Sequence, residues 1–387
     1  MGILGTAWRN LPEVVGLVGV VGIQLKFRRW LLECEAAKRS PSMRRAIQAA
    51  SVLFIAWVVF GFLSNFPFAY LRLPSSWTVA WIRGGALAWS LASIGAFFVL
   101  RLWRKVPEFS GRRRGLLRAA GSALVAAPFA AVGFGIFIGR FDLRLREVDV
   151  PVPNLPKDLQ GLRLVQLSDI HLGPFLSEKV LERAVDMANE LHAHLALVTG
   201  DLITGQGDPL DACLLQLARL RSDAGILGCL GNHEIYARSE KATTVQGARL
   251  GIRFLRWQAR ALRFGNATLN VGGVDYQRMG MKYLAGAEKL VAPGATNVLL
   301  SHNPNAFDAA SKMGFGLTIA GHTHGGQVTV EILHQTLNVA RFFTPYTYGL
   351  YRRGPAALWV TRGIGTVGVP ARIGAPPEIA LLRLCAT

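Results

Sequence analysis

The sequence has few charged residues, few acidic residues and few cysteines. Of its 387 residues, 17% are charged and 51% are hydrophobic, and the mean hydropathy is +0.30. So apolar a composition excludes a disordered chain and is unusual for a cytosolic protein. Four cysteines in this length exclude a small disulfide scaffold.

Acidic residues are scarce relative to basic ones, 24 against 43, which gives a net charge of +19. This excess is compatible with nucleic acid, an anionic membrane surface or phosphorylated substrates as partners. Residues 1–150 contain 20 basic and 7 acidic side chains, and residues 151–387 contain 23 and 17. The positive charge therefore belongs mainly to the apolar N-terminal part of the chain.

Long uncharged runs occur in this N-terminal part. About 20 apolar helical residues cross a hydrocarbon core of ~30 Å. The runs predict three transmembrane helices, at about 46–71, 84–100 and 119–139, and a possible fourth at about 11–25. The whole segment 1–139 is therefore predicted to be an all-α transmembrane region.

The basic residues of this region cluster beside the predicted spans. Segments 26–45 and 101–118 contain seven each, whereas 72–83 contains only Arg72 and Arg83. The positive-inside rule places the two basic segments in the cytoplasm and everything after Arg140 on the external or periplasmic side. Because topology explains the charge, and no zinc-finger spacing or aromatic and basic ladder occurs, no nucleic-acid partner is expected.

The C-terminal part changes to short apolar runs that end in polar residues. These runs predict strands at 162–167, 195–198, 225–230, 269–274, 297–300, 317–320 and 358–361. A helix capped by Ser177 is expected to extend to about His192. The pattern is typical of an α/β domain over 161–387, and the prolines of 140–160 predict a linker before it.

The predicted strand ends share a set of metal-ligating side chains. Two aspartates, one asparagine and five histidines follow the strands, in the blocks Asp169-Ile170-His171, Gly200-Asp201, Gly231-Asn232-His233-Glu234, Ser301-His302-Asn303 and Gly321-His322-Thr323-His324. In Asp-x-His, residues i and i+2 of an extended segment face the same side and can bind one ion. A carboxylate such as Asp201 can bridge two cations, and mixed nitrogen and oxygen donors suit Mn²⁺, Fe or Zn²⁺.

These five blocks, in this order, resemble the calcineurin-like metallophosphoesterase superfamily. Together with Gly325-Gly326-Gln327 and the stretch from Gly363 to Glu378, they are similar to a bacterial, membrane-attached, phosphodiesterase-like branch. The resemblance covers roughly 160–387. It implies a four-layer αββα sandwich with two divalent metal ions at the ends of the strands.

The resemblance also implies a role for each site residue. One ion would be bound by Asp169, His171, Asp201 and His324, and the other by Asp201, Asn232, His302 and His322. His233 would lie over the substrate phosphate as the catalytic residue. Two ions 3.5–4 Å apart activate a bridging water and stabilise in-line displacement of a phosphoester.

Other polar residues have weaker support. Asn303, Asp275 and Arg372 are candidates for contacting substrate or supporting the ligands, and Glu234 is expected to have a supporting or structural role. His192, His194 and His334 lie outside the blocks and are expected to be structural.

The expected function is hydrolysis of a phosphodiester or pyrophosphate bond at a binuclear centre, with a bridging hydroxide as nucleophile. Attachment to the membrane suggests a lipid-linked substrate among membrane lipids. Two alternatives stay open, a phosphomonoesterase acting on soluble substrates and a non-catalytic, metal-binding membrane scaffold.

Overall fold

The computed structural model describes residues 11–65, 76–105, 114–278, 280–332 and 335–387. Within these ranges the chain divides into two compact units. One is helical up to Phe137 and also includes Gly368–Ala371, and the other is an α/β unit of Ile138–Val367 and Arg372–Thr387.

The helical unit contains five described helices, which are α1 (Leu11–Glu33), α2 (Glu35–Arg39), α3 (Pro41–Asn65), α4 (Trp77–Trp103) and α5 (Arg114–Phe137). Three segments are long and apolar enough to cross a membrane, namely Pro41–Ser64, Trp77–Trp103 and Ala120–Phe141. The three predicted spans overlap them, although 66–71 of the first lies outside the described residues. Helix α1 covers the possible fourth span, but its composition does not place it among these three.

Small residues allow close packing between α3 and α4. A Cβ on Gly61 would lie 2.4 Å from the Cβ of Ala86, and a Cβ on Gly85 would lie 2.8 Å from the ring of Trp57. Small residues at helix contacts are typical of membrane helices, because close backbone approach increases van der Waals contact. Helix α4 begins where the Ser76 side chain accepts a hydrogen bond from the amide of Val79.

The α/β unit contains fourteen described strands and five described α-helices, besides short 3₁₀ turns. The strands are β1 (Arg144–Val152), β2 (Arg163–Leu167), β3 (Leu195–Thr199), β4 (Ile226–Cys229), β5 (Ile252–Phe254), β6 (Gln258–Phe264), β7 (Ala267–Gly273), β8 (Thr296–Leu300), β9 (Leu317–Ala320), β10 (Thr329–Ile332), β11 (Gln335–Asn338), β12 (Gly349–Arg353), β13 (Ala356–Val360) and β14 (Glu378–Ala386). The helices are α6 (Glu178–Asn189), α7 (Leu210–Leu217), α8 (Asn232–Tyr236), α9 (Glu240–Arg249) and α10 (Phe307–Met313).

Twelve of these strands form two mixed sheets. The first has the order β1-β14-β2-β3-β4-β5, and the second has the order β12-β13-β9-β8-β7-β6. Strands β2 to β5 are mutually parallel, and so are β7, β8, β9 and β13. Parallel strands end at the same edge, so loops that follow several strands meet there.

The two sheets pack face to face through apolar side chains. Leu164 and Leu197 from the first sheet and Val298, Ile319 and Trp359 from the second belong to one cluster, and each is at most 1% exposed. Helices α6 and α7 pack on the outer face of the first sheet, and α10 packs on that of the second. The predicted fold class, an α/β sandwich of two sheets flanked by helices after an all-α segment, is confirmed.

Residues 144–152 differ from the sequence-based expectation of a linker over 140–160. They form β1, which pairs in parallel with β14. The prolines suggested irregular backbone, but β1 is the edge strand of its sheet. An edge strand tolerates Pro151, because only one side of the strand needs hydrogen-bond donors.

Two adjacent leucines of α7 provide a matched test of core packing. Leu214 is fully buried, whereas Leu215 is 56% exposed. We expect Leu214→Ala to destabilise the α/β unit by about 3 kcal/mol, since it removes buried methyl groups and leaves a cavity. At ~2–4 °C per kcal/mol for a unit of this size, the melting temperature should fall by about 6–12 °C. Near-UV circular dichroism of the solubilised chain would measure this, and equal shifts for Leu215→Ala would contradict the assigned packing.

Candidate metal centre

The loops after five strands bring all eight predicted site residues to one edge of the sandwich. In the first sheet, Asp169 and His171 follow β2, Asp201 follows β3, and Asn232 and His233 follow β4; in the second, His302 follows β8, and His322 and His324 follow β9. Apart from His233 and His322, which are partly buried, all are buried.

The backbone at these residues has an unusual conformation. Five of the predicted ligands have positive φ, namely Asp169 (51°), His171 (50°), Asp201 (55°), His322 (76°) and His324 (52°). Residues other than glycine seldom adopt this region. Such conformations persist only where the surroundings fix them, and they concentrate at functional sites.

The donor atoms form overlapping groups. One contains Asp169, His171 and His324, whose donor atoms lie within 4.8 Å of one another. The two Nε2 atoms of His171 and His324 are 3.1 Å apart, and His324 Nε2 is 3.4 Å from Asp169 Oδ1. One hydrogen between these nitrogens would make a hydrogen bond, and the three donor atoms are also close enough to bind one cation.

A second group contains Asp201, His302 and His322, again within 4.8 Å. His302 Nε2 is 3.0 Å from Asp201 Oδ2, and the same oxygen is 3.6 Å from His171 Nε2 in the first group. A third group, His171, Asp201 and His233, overlaps both, so the carboxylate of Asp201 connects the two groups.

Asn232 Oδ1 is buried at this edge without a hydrogen-bond partner among the described residues. His302 Nδ1 lies 2.6 Å from the Thr199 carbonyl oxygen and donates to it, which leaves Nε2 facing the Asp201 carboxylate at 3.0 Å. Leaving a buried polar atom unpaired is costly, and a divalent cation would satisfy the Asn232 oxygen and take the place of the proton between His302 and Asp201. The residues present therefore fit a metal site.

The titration of the buried groups shows how much negative charge is concentrated here. Burial raises the pKa of Asp169 to about 6. Burial alone would lower the pKa of His302, but the carboxylates of Asp201 and Asp169 together raise it to about 10. Burial lowers the pKa of His322 to about 3, so this imidazole is neutral, as a metal ligand must be. The site favours positive charge beside Asp201.

His233 is held in place by the backbone. Its Nδ1 lies 2.6 Å from the Thr204 carbonyl oxygen and donates to it, and its amide donates to Asp201 Oδ1 at 2.9 Å. The ring packs edge-on against Tyr236, with centroids 5.2 Å apart. The Nε2 atom is thus the ring nitrogen that the backbone leaves available, and it lies in a donor group with His171 and Asp201.

Glu234 has the supporting role that the sequence suggested. Its buried carboxylate accepts hydrogen bonds from three backbone amides, those of Asp201 (3.0 Å), Leu202 (2.7 Å) and Gly231 (2.7 Å). These amides belong to the loops after β3 and β4. One side chain therefore fixes the position of Asp201 relative to Asn232.

Arg372 also supports the site. It is 1% exposed, and its guanidinium donates to the carbonyl oxygens of His324 (2.9 Å) and Gly365 (3.0 Å) and lies 3.3 Å from His324 Nδ1. Such an arrangement fixes the ring orientation of His324. It makes Arg372 a positioning residue and excludes direct contact with substrate in this conformation.

The other candidate residues have structural partners. Asp275 forms a two-pronged ion pair with Arg256, and Asn303 donates to the Gln277 carbonyl oxygen. His194 accepts a hydrogen bond from the Arg163 amide. His334 lies outside the described residues.

Sequence reasoning missed three contributors. The Ser168 hydroxyl donates to Asp169 Oδ2 at 2.6 Å, Thr204 contacts both His171 and His233, and the Tyr276 ring lies 5.2 Å from that of His322. Of the three, only Ser168 could have been predicted from the local sequence, because it directly precedes the Asp-x-His block. The other two reach the site through tertiary structure.

Gly231 shows why glycines accompany the ligands. A Cβ at this position would lie 2.1 Å from Asp201 Oδ1, closer than any non-bonded contact allows. Only glycine lets the loop after β4 approach the carboxylate of Asp201.

Comparison with known families agrees with this geometry. The family described as calcineurin-like phosphoesterase matches residues 162–327. This segment is a calcineurin-like metallophosphoesterase domain. Members of the family are phosphoester hydrolases that use divalent metal ions, and the ligand groups above lie at the expected strand ends.

Relatives of this chain occur in vertebrates and bacteria. A transmembrane protein with metallophosphoesterase domain from Danio rerio is 31% identical over 283 residues, which are 70% of this chain and 63% of the relative. An uncharacterized metallophosphoesterase from Campylobacter jejuni is 30% identical over 253 residues, which are 62% of this chain and 63% of that protein. The chain thus spans just under two thirds of the length of these relatives.

The role of Glu234 in the metallophosphoesterase site can be tested by Glu234→Gln. The amide retains one acceptor oxygen but brings an NH₂ group towards backbone donors, so we expect a loss of about 1–3 kcal/mol of stability and at least about tenfold weaker Mn²⁺ binding. Thermal melting and metal titration would measure these effects. The matched control is Glu147→Gln on the exposed face of β1. Wild-type values for both variants would contradict this role.

Proposed function

We propose that this chain is a membrane-attached phosphoester hydrolase with a binuclear metal centre. The observation that supports it most is the pair of donor groups joined by Asp201, beside which Asn232 Oδ1 is buried without a hydrogen-bond partner among the described residues. A purely structural cluster would pair its own polar atoms.

The proposal assigns a ligand set to each cation. Asp169, His171, Asp201 and His324 would bind one, and Asp201, Asn232, His302 and His322 the other. Nitrogen and oxygen donors of this kind suit Mn, Fe or Zn. When bound, such a pair of ions supplies Lewis-acid stabilisation of charge on the phosphoryl oxygens and an activated nucleophilic water.

The residues around the ions have distinct tasks. His233, with Nδ1 donating to Thr204, is oriented to present Nε2 to a phosphate oxygen or to protonate the leaving oxygen. Glu234 keeps the loops of Asp201 and Asn232 together. Arg372 keeps the ring of His324 in orientation.

The proposed reaction is cleavage of a phosphodiester or pyrophosphate bond in a lipid-linked substrate. Support comes from the three helices with the length and composition of membrane spans, since a membrane-attached hydrolase meets its substrate most often at the same surface. A complete donor set with His233 in place favours an enzyme over a metal-binding scaffold.

Turnover by the solubilised full chain tests the enzyme proposal. We expect Mn²⁺-dependent hydrolysis of bis(p-nitrophenyl) phosphate in preference to p-nitrophenyl phosphate. Chelation should abolish it, and Asp201→Asn should lower kcat/KM by about 100-fold or more, because one ligand serves both ions. Asp211→Asn, on the exposed face of α7, is the matched control and should retain activity.

Other outcomes identify the alternatives. Preference for the monoester would indicate a phosphomonoesterase, and absence of metal-dependent turnover on either substrate would favour the scaffold. Equal efficiency on a phospholipid diester and a water-soluble diester would remove the support for a lipid-linked substrate.

We also propose a multi-pass topology with the α/β unit on the external or periplasmic side. In this proposal residues 1–139 form the membrane region and residues 161–387 form the catalytic domain. Strand β1, which precedes residue 161, belongs to the first sheet of that domain. The support is the charge bias, with seven basic residues in each of 26–45 and 101–118.

Thiol labelling distinguishes the two orientations. Cys34 is exposed in the helical unit, and Asp223 is exposed in the α/β unit. In spheroplasts expressing a Cys385→Ser background, a membrane-impermeant maleimide should label Asp223→Cys and should leave Cys34 unlabelled until lysis. The reverse pattern would place the α/β unit in the cytoplasm. A Cys34→Ser variant assigns the labelled site.

A further inference from the structure

The last turns of α1 and α4 line an open cavity of about 560 Å³ in the helical unit, and its charged side chains are exposed. Five basic side chains line it, Lys26, Arg29, Arg101, Arg104 and Lys105, together with one acidic side chain, Glu33. We call it the basic cavity. Its charge comes from two helices that are far apart in sequence and converge on the same space.

Most of this charge is uncompensated. Glu33 pairs with Arg29 at 3.0 Å. The other four basic residues of the basic cavity have no carboxylate partner within the part of the chain that the structure describes. Lys26 and Arg101 instead share an aromatic partner, with Nζ 5.3 Å and Cζ 5.9 Å from the centroid of Phe97. Water and salt screen these exposed charges only in part, so an anion among them would lower their mutual repulsion.

The basic cavity lies at the level where lipid head groups are expected. Lys26 is the first charged residue after the apolar run 14–25, and Arg101 is the first after 84–100. A charge that directly follows a membrane-spanning apolar run is placed at the boundary between hydrocarbon and head groups.

A second, apolar cavity of about 480 Å³ shares Phe27 and Trp30 with the basic cavity. Gln24 lines it and is only 6% exposed. Its Oε1 accepts from Trp89 Nε1 at 3.4 Å, but its Nε2 has no hydrogen-bond partner among the residues that the structure describes. Burying the Gln24 amide donor in an apolar cavity without an acceptor is unfavourable. A ligand that has a hydrogen-bond acceptor among apolar groups would remove that cost.

We propose that the two cavities together bind one anionic phospholipid, with its phosphate in the basic cavity and its ester and acyl region beside Phe27, Trp30 and Gln24. Basic pockets between membrane helices bind anionic lipid head groups. The positive-inside rule alone explains basic residues in the loops. It does not explain their convergence on one cavity or the unpaired donor of Gln24. This binding site does not depend on the hydrolase activity.

Lipid retention by the full chain tests the proposal. The delipidated protein in detergent is titrated with phosphatidylglycerol or phosphatidylcholine of the same acyl chains and observed by native mass spectrometry. Wild type should prefer phosphatidylglycerol by about tenfold or more, and K26Q/R101Q should lose most of that preference. Q24L should weaken retention of both lipids.

The matched control is R39Q/R45Q, which removes the same amount of charge, from the basic segment 26–45, without touching either cavity. It should behave as wild type. A charge-conserving K26R/R101K variant should retain the preference, which separates loss of charge from misfolding.

Three results would overturn the proposal. Equal loss of the phosphatidylglycerol preference in K26Q/R101Q and R39Q/R45Q would show that the preference comes from general surface charge. An unchanged preference in K26Q/R101Q would place the lipid elsewhere. Displacement of the lipid by inorganic phosphate at similar concentration would show a site for the free anion and not for a phospholipid.

Discussion

The candidate site depends on one buried negative charge, the carboxylate of Asp201. This side chain is 1% exposed and lies where the ends of both sheets meet. Burying an unpaired carboxylate is costly, so its surroundings must supply positive charge and donors. The amide of His233 donates to it, His302 lies beside it, and Glu234 fixes its backbone. The remaining charge is what cations would neutralise.

The same requirement accounts for the local backbone. To bring five strand-end loops to one carboxylate, the chain uses glycine at Gly231 and positive φ at five ligands. Each of these conformations is unfavourable, and among residues other than glycine Asn, Asp and His adopt them most often. The sandwich core and the supporting hydrogen bonds from Glu234 and Arg372 offset that cost. Stability of the fold and geometry of the site are therefore linked.

The sequence allowed prediction of the ligands because each lies within a short block directly after an apolar strand. Asp169 and His171 show this, since both directly follow β2; the extended backbone assumed for their spacing is wrong, because both have positive φ. The sequence did not allow prediction of β1, because its prolines resemble a linker and its partner β14 is more than 200 residues away. Thr204 and Tyr276 were missed for the same reason, since only the folded chain brings them to the histidines. Likewise, Arg372 was recognised as a candidate, but its contact with His324, 48 residues earlier, defines what it does.

The position of β14 has a consequence for biosynthesis. This strand lies between β1 and β2 in the first sheet, although residues 378–386 are translated after every other strand of that sheet. Until they emerge, β1 has no neighbour and β2 has an open side. Pairing across so long a separation is slow, and open strand edges invite unwanted association. The nascent domain therefore has to be protected from aggregation until its synthesis reaches Glu378.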